Sequence, residues 1–171
     1  MMLARYFIEL PLPLSVVTGR LLADPERWVP GIADQANERG DALLAEVGFG
    51  TGRRVSHKVA VSFGPALEMA STTLIPFHWS PVGPHAYLPS LDADIEVAPL
   101  GQGRTQVSIN ARYKPPLGPV GRAVDRALLH RVAEATLKDF LDRLGAAIVA
   151  DAYDQVPAPG GGPVGPIPSL Q

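Results

Sequence analysis

Two polar side chains, His57 and Tyr113, stand at positions where the sequence predicts strand residues that point into a protein core. In RRVSHKVAVSF, alternation of apolar and polar residues places His57 on the same face as Val59, Val61 and Phe63. A histidine in such a place can exchange a proton near neutral pH or bind a ligand oxygen. It can equally be a buried neutral imidazole bonded to a backbone carbonyl or a tyrosine, and the sequence leaves both interpretations open.

Tyr113 ends the last predicted strand, RTQVSINARYK, on the side that carries Thr105 and Ile109. Its hydroxyl can donate a hydrogen bond to a carbonyl, or its ring can pack beneath the start of the following helix. If His57 and Tyr113 converged on one point, they would suit a cyclase or dehydratase, with the histidine as acid or base and the tyrosine as oxyanion donor.

The remaining candidate polar groups are weaker. No Asp or Glu of the strand region points inward, so the sequence predicts no carboxylate acid or base there. Residues predicted to point inward and orient a ligand are Tyr6, Ser71, Thr73 and Thr105, whereas His78 and His85 flank a loop and His130 is predicted as a surface or packing residue of a helix.

Metals and cofactors are not expected. The chain has no cysteine, and no cluster of other ligands shows metal-binding spacing. The segment GFGTG joins two predicted strands, which is the wrong context for a dinucleotide site, and GPVGRAVD lacks the Lys and Ser or Thr of a P-loop.

The elements that position these residues can be predicted in order. LARYFIEL predicts a strand over 3–10, and Ser15 and Asp24-Pro25 predict the starts of two short helices over about 14–22 and 25–37. DALLAEVGF predicts a strand over 41–49 that turns at 50–52 into the strand carrying His57.

Two further strands and a long helix complete the prediction. LEMASTTLIPFHW predicts one strand with Pro76 at its outer end, and LDADIEV predicts a half-exposed strand with Ile95 on its dry face. From about 119 to 150 the period changes to that of one long helix. Its apolar face carries Leu129, Ala133, Thr136, Leu137, Phe140 and Leu144.

The predicted fold class is therefore α+β, a curved antiparallel sheet of six or seven strands wrapped around a long C-terminal helix. The expected domain covers residues 1–152, and the Pro- and Gly-rich segment 153–171 is expected to be a disordered tail.

Composition limits the partners. With 46% hydrophobic and 19% charged residues and a net charge of −2, the chain is typical of a globular protein and unlike a nucleic-acid binder. No apolar run reaches the roughly 18 residues of a membrane span, so a cytoplasmic location is expected. Abundant Arg, Ala, Gly and Pro favour a bacterial source.

The order of elements over residues 3–150 resembles the START-like superfamily, also called the polyketide cyclase/dehydrase and lipid transport superfamily or SRPBCC. The most specific match is LPSLDADIEVAPLGQGRTQVSINARYKPPLGPVGRAVDRALLHRVAEATLKDFLDRL, which is similar to the terminal strands, proline break and C-terminal helix of bacterial members. The resemblance implies a cavity between sheet and helix that binds lipids, polyketides or other apolar molecules. Only some members are enzymes.

The first hypothesis is a noncatalytic carrier or sensor of a small apolar ligand, and the alternatives are the enzyme described above and a protein-interaction module. Trp28 is a candidate for the cavity entrance, and the oligomeric state stays open. The predicted ligand-binding residues are His57, Val59, Val61, Phe63, Thr73, Ile75, Phe77, Trp79, Ile95, Ile109, Tyr113, Leu129, Ala133, Leu137 and Phe140.

Overall fold

The computed structural model describes residues 2–46, 58–82, 90–113 and 126–155. In chain order the elements are β1 (Met2–Leu10), α1 (Leu14–Leu22), α2 (Pro25–Glu46), β2 (Val59–Phe63), β3 (Leu67–Met69), β4 (Thr72–Pro81), β5 (Leu91–Pro99), β6 (Thr105–Tyr113) and α3 (Arg126–Asp154).

The six described strands form one antiparallel sheet in the order β1-β6-β5-β4, with β2 and β3 both pairing with the far side of β4. Its register sets Leu10, Thr105 and Pro99 in one row at one end of the sheet, and Met2, Tyr113 and Leu91 in one row at the other. The predicted fold class is confirmed: a long C-terminal helix packs on the inner face of an antiparallel sheet.

Helix α3 packs on this face because its apolar residues recur with the helical period. All six residues predicted on its apolar side are buried, and Arg131, Glu134 and Lys138 on the opposite side are exposed. The core therefore lies between α3 and the sheet, and helices α1 and α2 close it on one side.

The prediction for residues 41–49 was wrong over the part that the structure describes, because α2 continues to Glu46. Asp41–Glu46 carries both an alternating and a helical pattern. Ala33, Ala36, Gly40 and Leu44 are buried at helical spacing along α2, and Leu44 packs against Leu129 and Val132 of α3. Contact with a distant helix decides between the two patterns.

The strand predicted from Leu67 to Trp79 is two strands, since a turn at residues 70 and 71 separates β3 from β4. Ser71 lies in that turn and is exposed, so its predicted inward orientation was wrong. Pro76 lies inside β4 and not at its end. It sits where the partner of β4 changes from β3 to β2, and its carbonyl accepts a hydrogen bond from the backbone N–H of Gly64 at 2.9 Å.

Several predictions fall outside the described residues: His57, His85, the turn at 50–52, the helix start at 119–125 and most of the tail. The predicted long helix is confirmed from Arg126 and reaches Asp154. None of the described helices combines the length and the apolar character that crossing a membrane requires.

Candidate functional site

The inner face of the sheet carries a row of small side chains beneath α3. Cross-strand pairing sets Ala4 beside Ala111, Ala111 beside Ala93, and Ala93 beside Phe77. All three alanines are buried. Because cross-strand neighbours on one face lie side by side, the alanines leave room between sheet and helix that larger residues must fill.

Three aromatic rings occupy the space at the Phe77 end of this row. Phe140 of α3 stacks on Phe77 with ring centroids 5.3 Å apart and meets Trp79 edge-on at 5.6 Å. Phe63 of β2 extends the cluster, 5.4 Å from Phe77. These predicted ligand-binding residues therefore contact one another across the interface.

At the adjacent end of the sheet, Tyr113 joins β6 to α3. Tyr113 is 1% exposed, and its hydroxyl oxygen lies 2.8 Å from Nδ1 of His130. The other ring nitrogen of His130, Nε2, lies 3.2 Å from Oε1 of Glu134, one helical turn further on. A chain of polar contacts thus runs from the sheet interior to a carboxylate whose side chain is 51% exposed.

One neutral tautomer of His130 matches both of its contacts. An ionised carboxylate can only accept hydrogen bonds, so Nε2 of a neutral His130 donates to Glu134 and Nδ1 is left as an acceptor. The Tyr113 hydroxyl then donates to Nδ1. Its oxygen retains lone pairs but has no second proton to give.

The surroundings keep Tyr113 neutral. Burial of the phenol, and secondarily the negative charge of Glu134, raise the pKa of Tyr113 above its ordinary value of 10.0. The group therefore acts at physiological pH as a neutral hydrogen-bonding hydroxyl and not as a phenolate.

The other residues predicted to bind ligand are placed as follows. Val59, Thr73, Ile75, Ile95, Ile109, Leu129, Ala133 and Leu137 are buried, whereas Val61 and Phe63 are half-buried. The hydroxyl of Thr105 donates to the carbonyl of Leu12 at 2.8 Å, which is a local structural role. Tyr6 is half-buried, and the ammonium of Lys138 lies 5.3 Å from its ring centroid.

Trp28 lies far from Tyr113. The guanidinium of Arg20 is 4.4 Å from its ring centroid, and Arg20 pairs with Asp151 near the end of α3. Asp151 follows His130 by 21 residues, which is roughly 30 Å along a helix. The structure thus does not bring the predicted entrance residue to the Tyr113 end of the sheet.

Sequence reasoning missed His130 and Glu134 as members of the site. A signal was present, because a histidine and a glutamate at i and i+4 face the same side of a helix. Their position against Tyr113 depends on how α3 docks on β6, which no local pattern contains.

A surface groove of about 260 Å³ lies between β1 and α3. Its lining includes Ala4, Arg5 and Tyr6 of the strand, and Glu134 and Lys138 of the helix. Lys138 pairs with Asp142, and this hydrogen bond, followed by that of Tyr6, raises the pKa of the lysine. The outer end of the Tyr113–His130–Glu134 chain therefore borders the groove.

No protein-family model and no curated protein matches the chain by sequence. Among solved structures, a conserved protein from Geobacillus kaustophilus superposes with a TM-score of 0.52 at 14% identity, covering 88% of this chain and 97% of its own. The Zhui aromatase/cyclase from Streptomyces sp. R1128 gives a TM-score of 0.46 at 14% identity, covering 94% of this chain and 98% of its own. The fold is the helix-grip fold. At this level of identity the likeness concerns the fold alone.

Proposed function

We propose that this protein binds one small, largely apolar molecule between α3 and the inner face of the sheet, at the end marked by Tyr113. One observation carries the proposal: among the alanines and aromatic rings of this interface, the buried hydroxyl of Tyr113 is oriented by the side chain of His130, whereas the buried hydroxyls of Thr105 and Thr136 are bonded to backbone carbonyls. Small-molecule sites are mostly apolar with a few placed polar groups, and Tyr113 with His130 fits that description.

The proton arrangement defines the complementary ligand group. In the neutral tautomer of His130 whose Nε2 donates to Glu134, the Tyr113 proton is directed at Nδ1, and the tyrosine oxygen offers a lone pair to a ligand. A hydroxyl or another donor on the ligand matches it, whereas a bare carbonyl does not. This differs from the sequence-based expectation, in which Tyr113 donated to a carbonyl.

The alanine row and the ring of Phe140 determine the size of ligand that fits between α3 and the sheet. Movement of Phe140 away from Phe77 would uncover the space above Ala93 and Ala111. A ligand there would replace ring contacts with its own, so an apolar ring or a short chain is the favoured occupant. We further propose that this chain is a START-like ligand binder that acts as a carrier or sensor in the cytoplasm.

A second function is favoured by the contact with Glu134. A hydrogen-bonded chain from a buried hydroxyl to an exposed carboxylate can pass a proton between a bound molecule and solvent. In that case Tyr113 would be the group that touches substrate, and His130 would serve as its positioning and relay residue. This enzymatic alternative stands beside the predicted pairing of Tyr113 with His57, which lies outside the described residues.

The direct test is native mass spectrometry of protein purified from its own host, followed by organic extraction. The expected result is one retained apolar molecule per chain that carries a hydroxyl or similar donor. Protein that is empty, and stays empty after incubation with an extract of host lipids and small molecules, would contradict the proposal. Conversion of the added molecule would favour the enzymatic alternative.

A further inference from the structure

Among the described strands, β1 lies at the edge of the sheet and pairs only with β6. Edge strands normally avoid association by charged side chains, proline, bulges or short length. Of these, β1 has only the charges of Arg5 and Glu9, which are of opposite sign. The nine residues of β1 contain no proline, glycine or lysine and pair without interruption.

The outer face of β1 also exposes apolar surface. Leu3 is 70% exposed and Phe7 is 55% exposed. Arg5 and Glu9 alternate with them on the same face, because side chains two apart on a strand share a face. Along the exposed face of β1 the side chains are therefore apolar at Leu3, positive at Arg5, apolar at Phe7 and negative at Glu9.

This pattern is complementary to itself. When a second β1 pairs antiparallel about a two-fold axis at Phe7, each Arg5 lies opposite Glu9 of the other copy and the two Phe7 rings lie opposite each other. Opposite charges and aromatic pairs are favourable cross-strand neighbours. On the other face the same register sets Tyr6 opposite Ile8 of the other copy, next to the groove between β1 and α3.

Neighbouring symmetric registers lose this match. Centring the axis on Arg5 or on Glu9 places like charges opposite each other, and centring it on Tyr6 or Ile8 sets Phe7 opposite a charged residue. Of these registers, only the one centred on Phe7 places Arg5 opposite Glu9. Because a two-fold axis fixes every cross-strand pair at once, this register is the favoured one.

We propose that two copies of this chain associate through their β1 edges, in the antiparallel register centred on Phe7, to form one continuous sheet. The intrachain contact between Glu9 and Arg104 remains possible, because a carboxylate accepts several hydrogen bonds. Arg5 also lines the groove beside Glu134, but association and ligand retention are measured separately, so the failure of one proposal is distinguishable from the failure of the other.

Sedimentation equilibrium of the full chain tests association. Wild type is expected to show the mass of two chains. Arg5→Glu should weaken the dimer at least tenfold, with an unchanged circular dichroism spectrum, because glutamate would then face Glu9. The triple variant Arg5→Glu, Glu9→Arg, Arg104→Glu reverses every charge and should restore dimerisation. A monomeric wild type, or a dimer insensitive to Arg5→Glu, would overturn the proposal.

Cysteine cross-linking tests the register, since the natural chain has no cysteine. Directly opposed strand residues have Cα atoms about 4.5–5.5 Å apart, within the range that a disulfide spans. Phe7→Cys is therefore expected to form a covalent dimer on mild oxidation. The control Leu3→Cys should not, because its two thiols would be separated by eight residue steps, roughly 27 Å. Equal cross-linking of the two variants would overturn the register.

Discussion

The hydroxyl of Tyr113 and the Nδ1 atom of His130 lie 2.8 Å apart, and their bond joins the last strand of the sheet to the long helix. The phenol and imidazole rings are nearly parallel, with an interplanar angle of 15°. This relationship fixes the position of α3 at one end of the sheet. On the function proposed above, the oxygen of Tyr113 is also the polar atom that a ligand would contact.

We expect His130 and His78 to be opposite tautomers. Nδ1 of His130 accepts from Tyr113, whereas Nδ1 of His78 lies 2.7 Å from an oxygen of Asp92 and must donate to it. At pH 8, two-bond proton–nitrogen NMR should show the proton of His130 on Nε2 and that of His78 on Nδ1.

His78 is the internal control for that measurement, since its partner is a carboxylate on the exposed face of the sheet. Assignment can use His→Gln variants of the four histidines. A proton on Nδ1 of His130 would contradict the described relay and would return Tyr113 to the role of ligand donor.

Tyr113 is expected to make the protein less stable in alkali. Its pKa in the folded chain is raised by burial and by Glu134, so the unfolded chain releases a proton that the folded chain still holds. Stability from this group is complete below about pH 10 and is lost as pH rises further. In Tyr113→Phe the free energy of unfolding should fall less steeply between about pH 9 and pH 11 than in wild type.

Urea unfolding at several pH values measures this difference. Near neutral pH the same variant should be less stable by about 1 kcal/mol, for the lost hydrogen bond. Tyr153→Phe is the matched control, because Tyr153 is exposed and its removal should preserve the wild-type slope. Parallel slopes for Tyr113→Phe and wild type would show that the phenol is not held neutral by the fold.

Gly64 is expected to tolerate no side chain. A Cβ atom at this position would lie 2.9 Å from Cβ of Pro76, whose ring cannot rotate away. Gly64→Ala should therefore lower the free energy of unfolding by about 1–3 kcal/mol. Gly19, in α1, has no atom within 4 Å of the corresponding point, so Gly19→Ala should raise it by up to about 1 kcal/mol.

The comparison requires only urea denaturation of the two variants beside wild type. Equal stability of Gly64→Ala and wild type would contradict the close approach of β2 and β4 at Pro76. An equal change in the free energy of unfolding for both variants would show that Gly64 is no more crowded than Gly19.

Phe140 is expected to fill the space above the alanine row. Phe140→Ala should cost about 3–5 kcal/mol of unfolding free energy, and added benzene should raise its melting temperature more than that of wild type, because a ligand of the folded state stabilises it. Leu141→Ala, at a neighbouring buried residue, controls for general loosening. A loss below about 1 kcal/mol for Phe140→Ala would mean that the ring does not close this space.

Much of the fold could be predicted because most segments carry one clear period. Strand β5 alternates between buried residues such as Ile95 and charged ones such as Asp94, and its predicted faces are those observed. The buried face of α3, which contains Leu137, could be predicted equally well from its helical period. In each case one face of the element is buried, so the pattern of residue types within the segment is enough to predict which side chains face the core.

The remainder depends on contacts between distant residues. The segment Asp41–Glu46 suits a strand or a helix, and Leu44 settles the matter by packing on Leu129, 85 positions later. His130 likewise looked like a flank residue until α3 was placed against Tyr113. The partner of a side chain across an interface is not encoded in its own neighbourhood.

On the proposed function, an apolar molecule enters between α3 and the sheet beside Trp79. The chain has two tryptophans, and Trp79 is 1% exposed and contacts Phe140. In Trp28→Phe, Trp79 is the sole reporter, and brominated probes quench tryptophan only at contact. We would titrate this variant, and Trp79→Phe as its control, with 4-bromophenol, bromobenzene and a brominated fatty acid. We expect saturable quenching in Trp28→Phe by at least one probe, with 4-bromophenol stronger than bromobenzene, and none in Trp79→Phe. Trp79 emission that no probe quenches saturably would contradict it.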